Sequence, residues 1–380
     1  MPLLVVPGWA IARQQDEFWA QVFAAMPHDL AAHARDPALR VQILSQHRNK
    51  QAGATWQRNA WQLTPQRWFS TASVAKLPIA LLACERVAAL GLDLSAAIGF
   101  SQPSIGGEWP ADEPGEEPLA RTLTRIFTIS ENPPFNRLYD FLGVDAMHAR
   151  LAQLGYASAR LVSRMSPPVN DNIRTRAGTV WDHSGTPVHA FEERVGTQRT
   201  FAFGDARTGD GFLQDNGELV AGPHDFSKAN FIALEDSQQM LKALVDPASV
   251  PAQQRWAIPE SMRQQLLVIM AMMPRQSTDP VYPESEFPDG YARFFLLGDG
   301  PARKPESLRL VGKAGEAYGY LTDVAHIIDA HSTHECLLSA NIYVNADGIF
   351  NDDAYEYESI GYPFLAALGR AVWQVVQAGR

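Results

Sequence analysis

Strand-like segments lie near both ends of this 380-residue chain, and helical patterns fill most of the sequence between them. An early pair reads RVQILSQHRN and ATWQRNAWQLT, and a late group reads SLRLVGKAG, YGYLTDVAHIID and ECLLSANIYVN. Each strand needs a partner to satisfy its backbone groups. We therefore expect an α/β (α+β) fold in which the two chain ends build one antiparallel sheet around an inserted all-α block.

Apolar residues at helical spacing predict the helices of this fold. A first helix is expected over residues 16–34, with Pro27 as a break, and a strong one runs from Leu77 to Leu90, where Gly91 ends it. Further helical patterns are ARTLTRIFTIS, NRLYDFLG, AMHARLAQLG, NFIALEDSQQMLKALV, SMRQQLLVIMAMM and PFLAALGRAVWQVVQ. The first and last of these helices come from the two chain ends and are expected to flank the sheet.

The same patterns suggest two domains that are interlocked along the chain. Residues 1–70 and 260–380 would form the α/β sheet domain, and residues 71–259 the helical domain. Residues 166–230 differ from their surroundings, because they are rich in Gly, Pro, Asp and Thr and carry only short strand-like pieces such as RTFAFGD. We interpret them as a long irregular insertion.

Composition narrows the possible partners and compartments. The net charge of −10 disfavours nucleic acid or an anionic membrane as the main partner, since both require a basic surface. Cys84 and Cys336 cannot form a disulfide framework and are interpreted as free, packed thiols, with a single bridge as the alternative. No apolar run is long enough to span a bilayer. The start, MPLLVVPGWAIA, is a poor secretion signal as written but could be the remainder of one.

Three short stretches carry residues suited to acyl chemistry. FSTASVAK places Ser73 three residues before Lys76 at the start of a helix, so that both side chains share one helix face. A serine hydroxyl becomes nucleophilic when a base takes its proton, and a lysine serves as that base when burial or a second cation lowers its pKa. TISENPPFNRL supplies Ser130 and Asn132 between two helices, and LVGKAGEAYG supplies Lys313 on a strand. Taken singly, each could instead be a helix cap or an edge-strand lysine.

In order, S-x-x-K, S-E-N and K-A-G resemble the signature of serine β-lactamases and penicillin-binding proteins, namely S-x-x-K, S-D-N and K-T-G. The resemblance covers roughly residues 35–380 and is closest to the class A β-lactamase-like serine hydrolases. It implies a nucleophilic serine, a lysine base, a serine that relays a proton to the leaving group, and an oxyanion site made of two backbone N–H groups. The implied catalytic residues are Ser73, Lys76 and Ser130, and the implied substrate-binding residues are Asn132, Lys313, Gly315 and Glu316.

The sequence departs from this family in ways that affect turnover. Class A enzymes carry a glutamate that activates the deacylating water, but the corresponding stretch here reads VSRMSPPVNDN, and its nearest acid is Asp171. Glu192 and Glu193 lie deeper in the insertion and could fold back toward the site, but their spacing in the sequence does not show where they lie. Ala314 replaces the Thr or Ser whose hydroxyl helps to hold a substrate carboxylate in the family. Ser130 and Lys313 are also 183 residues apart, a long separation that the 166–230 insertion explains.

The favoured function is a serine acyl-transfer hydrolase that forms an acyl-enzyme on Ser73 from a β-lactam or another amide or ester. The alternative is a non-hydrolytic or slowly deacylating penicillin-binding-like protein that binds a cell-wall peptide or a protein partner. The expected partner is a small-molecule or peptide acyl substrate, with no nucleic acid and no transmembrane segment. No cofactor is expected and no metal site either, because His331 and His334 lack a clear third ligand. Resemblance favours the periplasm or cell envelope.

Overall fold

The computed structural model describes residues 8–51, 54–65, 67–101, 115–166, 171–199 and 205–379, with the backbone alone for 8–13. The first seven residues of the possible signal remnant MPLLVVPGWAIA and most of RTFAFGD therefore lie outside the described residues. The helices are α1 Gly8–Ala25, α2 His28–His33, α3 Lys76–Ala89, α4 Leu119–Thr128, α5 Asn132–Leu142, α6 Val144–Gln153, α7 Leu234–Val245, α8 Glu260–Ala271, α9 Phe294–Leu297 and α10 Tyr362–Gln377.

Sixteen strands, many of them only two or three residues long, complete the described structure. They are β1 Gln42–Asn49, β2 Gln57–Trp61, β3 Ala97–Phe100, β4 Glu116–Pro118, β5 Arg174–Thr175, β6 Gly178–Trp181, β7 Pro187–Phe191, β8 Arg194–Val195, β9 Arg207–Thr208, β10 Gly211–Leu213, β11 Leu219–Ala221, β12 His224–Asp225, β13 Leu308–Ala317, β14 Tyr320–Asp329, β15 His334–Tyr343 and β16 Ile349–Phe350.

The main sheet has five strands in the order β13-β14-β15-β1-β2. All its pairings are antiparallel, and β1 lies beside β15 with Gln42 opposite Asn341. Strands from both chain ends thus form one sheet, and the predicted fold class is confirmed. The strand β13 is at the edge of this sheet, so one of its sides is free to face the residues of the helical block.

Helices cover both faces of the sheet and bury its side chains. The terminal helices α1 and α10 pack on one face, where Trp19, Phe364 and Leu368 are almost completely buried. On the other face α7 contacts β14 and β15, and α8 contacts β13. Both faces of the middle strands are therefore covered, and all residues of β14 and β15 except those at the strand ends are buried, including polar ones such as Asp323 and Asn341.

The inserted block is built around α3, whose residues from Leu77 to Glu85 are all buried. Gly91 ends this helix region with a φ of +76°, as the sequence predicts. The block is not all-α, however. It also contains a four-stranded sheet in the order β4-β3-β6-β7, whose strands of three to five residues are too short to show a clear period in the sequence. The boundaries of the two predicted domains remain a prediction.

Several contacts tie the 166–230 segment to the rest of the molecule, including the pairing of β6 with β3. Arg164 and Arg176 both bind the fully buried carboxylate of Asp140 on α5, which fixes the start of the segment against the helical block. Further along, β10 pairs in parallel with β16 near the C-terminal end. The described part of the insertion is thus a series of short paired strands rather than a structureless loop.

Two smaller predictions can be compared directly with the structure. Cys84 and Cys336 are free and buried, as expected. In the part of the chain that the structure describes, none of the helices has the length and apolar character that crossing a membrane requires.

Candidate active site

Ser73 lies in a single 3₁₀ turn, Ala72–Ala75, immediately before α3. The buried side chains of Trp68 and Phe69 anchor the segment that leads into this turn, and Ala72 has a φ of +45°. A positive φ at a residue other than glycine is strained, and such strain is typical of functional sites. The turn leaves Ser73 partly exposed while the next helix begins beneath it.

Lys76, the first residue of α3, is completely buried and lies at the centre of the site. Its Nζ is 2.8 Å from Ser73 Oγ, 2.7 Å from Asn132 Oδ1 and 3.2 Å from Ser130 Oγ, and it also donates to the backbone carbonyl of Ser130. Burial lowers the pKa of Lys76 to about 7, while the negative charge of Glu131 acts in the opposite direction. Near neutral pH a large fraction of this amine is therefore unprotonated and able to accept a proton.

Ser130 lies between two amines. Its Oγ accepts a hydrogen bond of 2.8 Å from Lys313 Nζ, and Lys76 Nζ is on its other side. The backbone of Ser130 has a φ of +65°, which turns the residue out of the end of α4 and toward the site. Burial, and then the charge of Lys76, lower the pKa of Lys313 well below its ordinary value. Two amines joined through one hydroxyl can pass a proton from one side of the site to the other.

Gly315 brings the edge strand β13 against the turn that carries Ser73. A Cβ atom at this position would lie 2.6 Å from Ser73 N and 2.8 Å from Val74 N, so only glycine permits this approach. Glu316 follows at the surface, and its carboxylate accepts a hydrogen bond from the hydroxyl of Tyr362. The side chain of Ala314 packs in the core between the sheet and α10.

All seven site residues that the sequence predicts thus fall in one region. Hydrogen bonds join Lys76 to Ser73, Ser130 and Asn132, and a further hydrogen bond joins Ser130 to Lys313. Gly315 lies against the turn that carries Ser73, and Glu316 is next to it along β13. Three segments that are far apart in sequence therefore meet at one hydroxyl, as the motifs require.

The acids considered as deacylating bases are held elsewhere. Arg174 binds the carboxylates of both Asp171 and Glu193 at the surface, and Glu192 is exposed. Among the described residues, no carboxylate accepts a hydrogen bond from the Ser73 hydroxyl, whose side-chain partner is Lys76. The backbone of Met165, in the stretch where the family's glutamate is expected, is instead held by the side chain of Asn136 in hydrogen bonds of 2.7 and 2.8 Å.

Two features around the site have no signal in the sequence. Arg125 and Tyr282 bind the carboxylate of Glu131, and neither lies at a motif spacing from it. A cavity of about 760 Å³ is lined by insertion residues that include Phe212, Asp215 and His224, together with Tyr318, which lies two residues beyond Glu316. The catalytic candidates are not among the residues that line this cavity.

Comparison with known proteins agrees with this geometry. The model of the beta-lactamase enzyme family matches residues 51–375. The chain belongs to the beta-lactamase enzyme family. The match spans all three motifs, and at family level it makes this protein a serine β-lactamase-like hydrolase.

Solved β-lactamase structures share the fold at low sequence identity. The β-lactamase of Sphaerobacter thermophilus is 16% identical with a TM-score of 0.52, over 94% of this chain and 97% of that one. The β-lactamase of Desulfarculus baarsii is 16% identical with a TM-score of 0.53, over 94% and 98%. At this identity the likeness establishes the fold alone. No curated protein matches the chain.

Proposed function

We propose that this β-lactamase-family protein is a serine acyl-transfer hydrolase of the class A-like type, with the acyl-enzyme on Ser73. One observation carries the proposal. The buried Lys76 Nζ lies 2.8 Å from Ser73 Oγ, and Ser130 Oγ connects it to Lys313 Nζ. A nucleophile, a base and a proton relay are therefore in hydrogen-bond contact before any substrate arrives.

In the proposed reaction, the neutral amine of Lys76 takes the hydroxyl proton as Ser73 Oγ attacks the substrate carbonyl. The backbone N–H groups of Ser73 and Glu316 would donate to the oxyanion that forms. When the tetrahedral intermediate collapses, the bond to the leaving group breaks and Ser130 passes it the proton that Lys76 holds. The positive charge of Lys313 stabilises the Ser130 oxygen during this transfer. Water then attacks the ester carbonyl and releases Ser73.

We expect the second half of this reaction to be slow with a β-lactam. The acids Asp171 and Glu193 are bound to Arg174, so neither is free to activate the water. Ala314 has no hydroxyl to offer a substrate carboxylate, which weakens the binding of penicillin-like acids. These features favour either a persistent acyl-enzyme with β-lactams or an ester, amide or peptide as the natural substrate.

The cavity in the insertion favours the proposal that the natural substrate is larger than a β-lactam. This cavity adjoins the end of β13 and combines aromatic side chains with acidic and amide ones, as sites for bulky organic groups do. The same surface also suits the alternative function, in which the protein has lost turnover and binds a cell-wall peptide or a protein partner. In either case we propose a location in the periplasm or cell envelope.

Intact-mass measurements over time separate these functions. The protein and Ser73→Ala are each incubated with a fluorescent penicillin and with a small activated ester. Mass that adds to the wild type alone and persists indicates acylation without deacylation, and mass that adds and then disappears indicates a hydrolase. If neither reagent ever adds mass at Ser73, the catalytic function is wrong and the binding function is favoured.

A further inference from the structure

Glu131 places a negative charge beside the proposed base. It stands between Ser130 and Asn132, and both of these neighbours bind Lys76. The charge of Glu131 raises the pKa of Lys76, against the effect of burial. A carboxylate that acted fully on this amine would keep it protonated, and a protonated amine cannot take the proton of Ser73.

Two side chains from outside the three motifs hold this carboxylate. Arg125 on α4 donates to Glu131 Oε2 through Nε at 2.9 Å and through Nη2 at 2.8 Å. The hydroxyl of Tyr282, from the connection between α8 and α9, donates to Glu131 Oε1 at 2.7 Å. Both oxygens of the carboxylate are therefore occupied by donors other than Lys76, and one of the donors carries a positive charge.

These donors are themselves fixed. Arg125 Nη1 binds Glu117 Oε1 at 2.8 Å, and Glu117 is almost completely buried and also binds Arg121 at 2.6 Å. Burial, and then the carboxylate of Glu131, raise the pKa of Tyr282, so its phenol stays protonated and continues to donate. An aspartate has one methylene fewer, so the longer glutamate in S-E-N is what extends the carboxylate toward these donors.

We propose that Arg125 and Tyr282 are positioning residues that hold the Glu131 carboxylate away from Lys76 and neutralise it, so that Lys76 can act as the base. This inference rests on the acyl-transfer function proposed for Ser73. The two residues also fix the strained turn at Ser130, because they bind the residue that follows it.

Other ionisable groups lie around Lys76 and Glu131 and contribute to the electrostatic potential there. The charges of Lys313 and Glu131 interact with that of Lys76, and the rest belong to the α4 ion-pair cluster, bind Glu131 or lie behind β13. These further groups are Glu117, Arg121, Arg125, Arg137, Asp279, Tyr282, Arg293 and Asp323. Arg125→Gln removes the positive charge that binds Glu131 directly within the described structure, and it leaves the other charges in place.

The test compares Arg125→Gln with Arg121→Gln, a matched control on the same helix that also loses a cation bound to Glu117 but does not touch Glu131. The titration of Lys76 is followed by NMR of ¹³C-labelled lysine, assigned with Lys76→Met, and the acylation rate by a neutral activated ester is measured from pH 5 to 9. We expect Arg125→Gln to raise the midpoint of both curves by about one pH unit, which lowers the rate about tenfold below the midpoint. Arg121→Gln leaves the midpoint unchanged.

Further variants distinguish the effect of the Arg125 charge from a structural effect of losing its side chain. Arg125→Lys and the double variant Arg125→Gln/Glu131→Gln should return the midpoint to its wild-type position, and Tyr282→Phe should raise it by a smaller amount. Equal Lys76 midpoints in wild type, Arg125→Gln and Arg121→Gln would overturn the inference, even where the rate falls at every pH. Absence of acylation in the wild type would instead overturn the proposed function, and the NMR titration would still decide the inference.

Discussion

The pH dependence of acylation follows directly from the burial of Lys76. An ordinary lysine, with a pKa of 10.5, would be neutral in about one molecule in 3000 at pH 7, whereas a pKa of about 7 leaves about half of the molecules neutral. The neutral form is the active one, so the acylation rate should be constant well above pH 7. Below pH 7 it should fall about tenfold for each pH unit, as the amine becomes protonated.

The assay is the single-turnover rate at which a neutral activated ester adds mass to Ser73, measured between pH 5 and pH 9. A neutral reagent is chosen so that its own ionisation does not shape the curve. A rate that continues to rise up to pH 9, or that does not change with pH at all, would refute the reasoning. The first result would mean that Lys76 keeps an ordinary pKa, and the second that it is not the base.

Lys76→Met is the companion variant. Loss of a general base should lower the acylation rate by about 10²- to 10⁴-fold. The fold should survive, because the lowered pKa means that the unfolded state binds the lysine proton more tightly than the folded state does. Lys76 therefore costs stability as the pH falls from 10.5 toward 7, and the variant removes that cost. Normal acylation by a folded Lys76→Met protein would exclude Lys76 as the base.

Two further variants test the scaffold. Asp140→Ala should lower the free energy of unfolding by about 3–5 kcal/mol in urea denaturation, because it leaves two buried arginines without their carboxylate; a loss below about 1 kcal/mol would contradict this role. Gly315→Ala should slow acylation at least about tenfold, since its Cβ would displace the backbone of Ser73. Gly300→Ala, where a Cβ meets nothing within 4 Å, is the matched control, and equal rates in the two variants would refute the argument.

The sequence predicted the parts of the molecule that depend on periodicity and on motif order. The long helices and strands have enough residues for their spacing to be visible, and α3 and β13–β15 are found where the pattern places them. Ser73, Lys76, Ser130 and Lys313 could be chosen because serine and lysine at these positions in this order form a specific set. From the motif order we inferred that these side chains lie together in space. The structure shows Lys76 within hydrogen-bond distance of Ser73, and Lys313 within hydrogen-bond distance of Ser130.

The rest depends on contacts that no spacing reveals. Arg125 lies six residues before Glu131 and Tyr282 lies 151 after it. They meet only in the folded protein, where α4 contacts α8 and Tyr282 lies in the connection that follows α8. The four-stranded sheet in the helical block was missed because its strands are too short to show alternation. The shape of the insertion was also hidden, since its strands pair with partners such as β16 near the other end of the chain.

The pairing of β1 with β15 also affects how the molecule is made. Gln42 and Asn341 are 299 residues apart, yet their side chains share a hydrogen bond in the middle of the sheet. During synthesis the helical block can collapse early, but β1 and β2 must wait for β15 before their sheet can close. A chain that ends before residue 334 would lack β15, the strand that joins β1 and β2 to β14 and β13, and its sheet could not close.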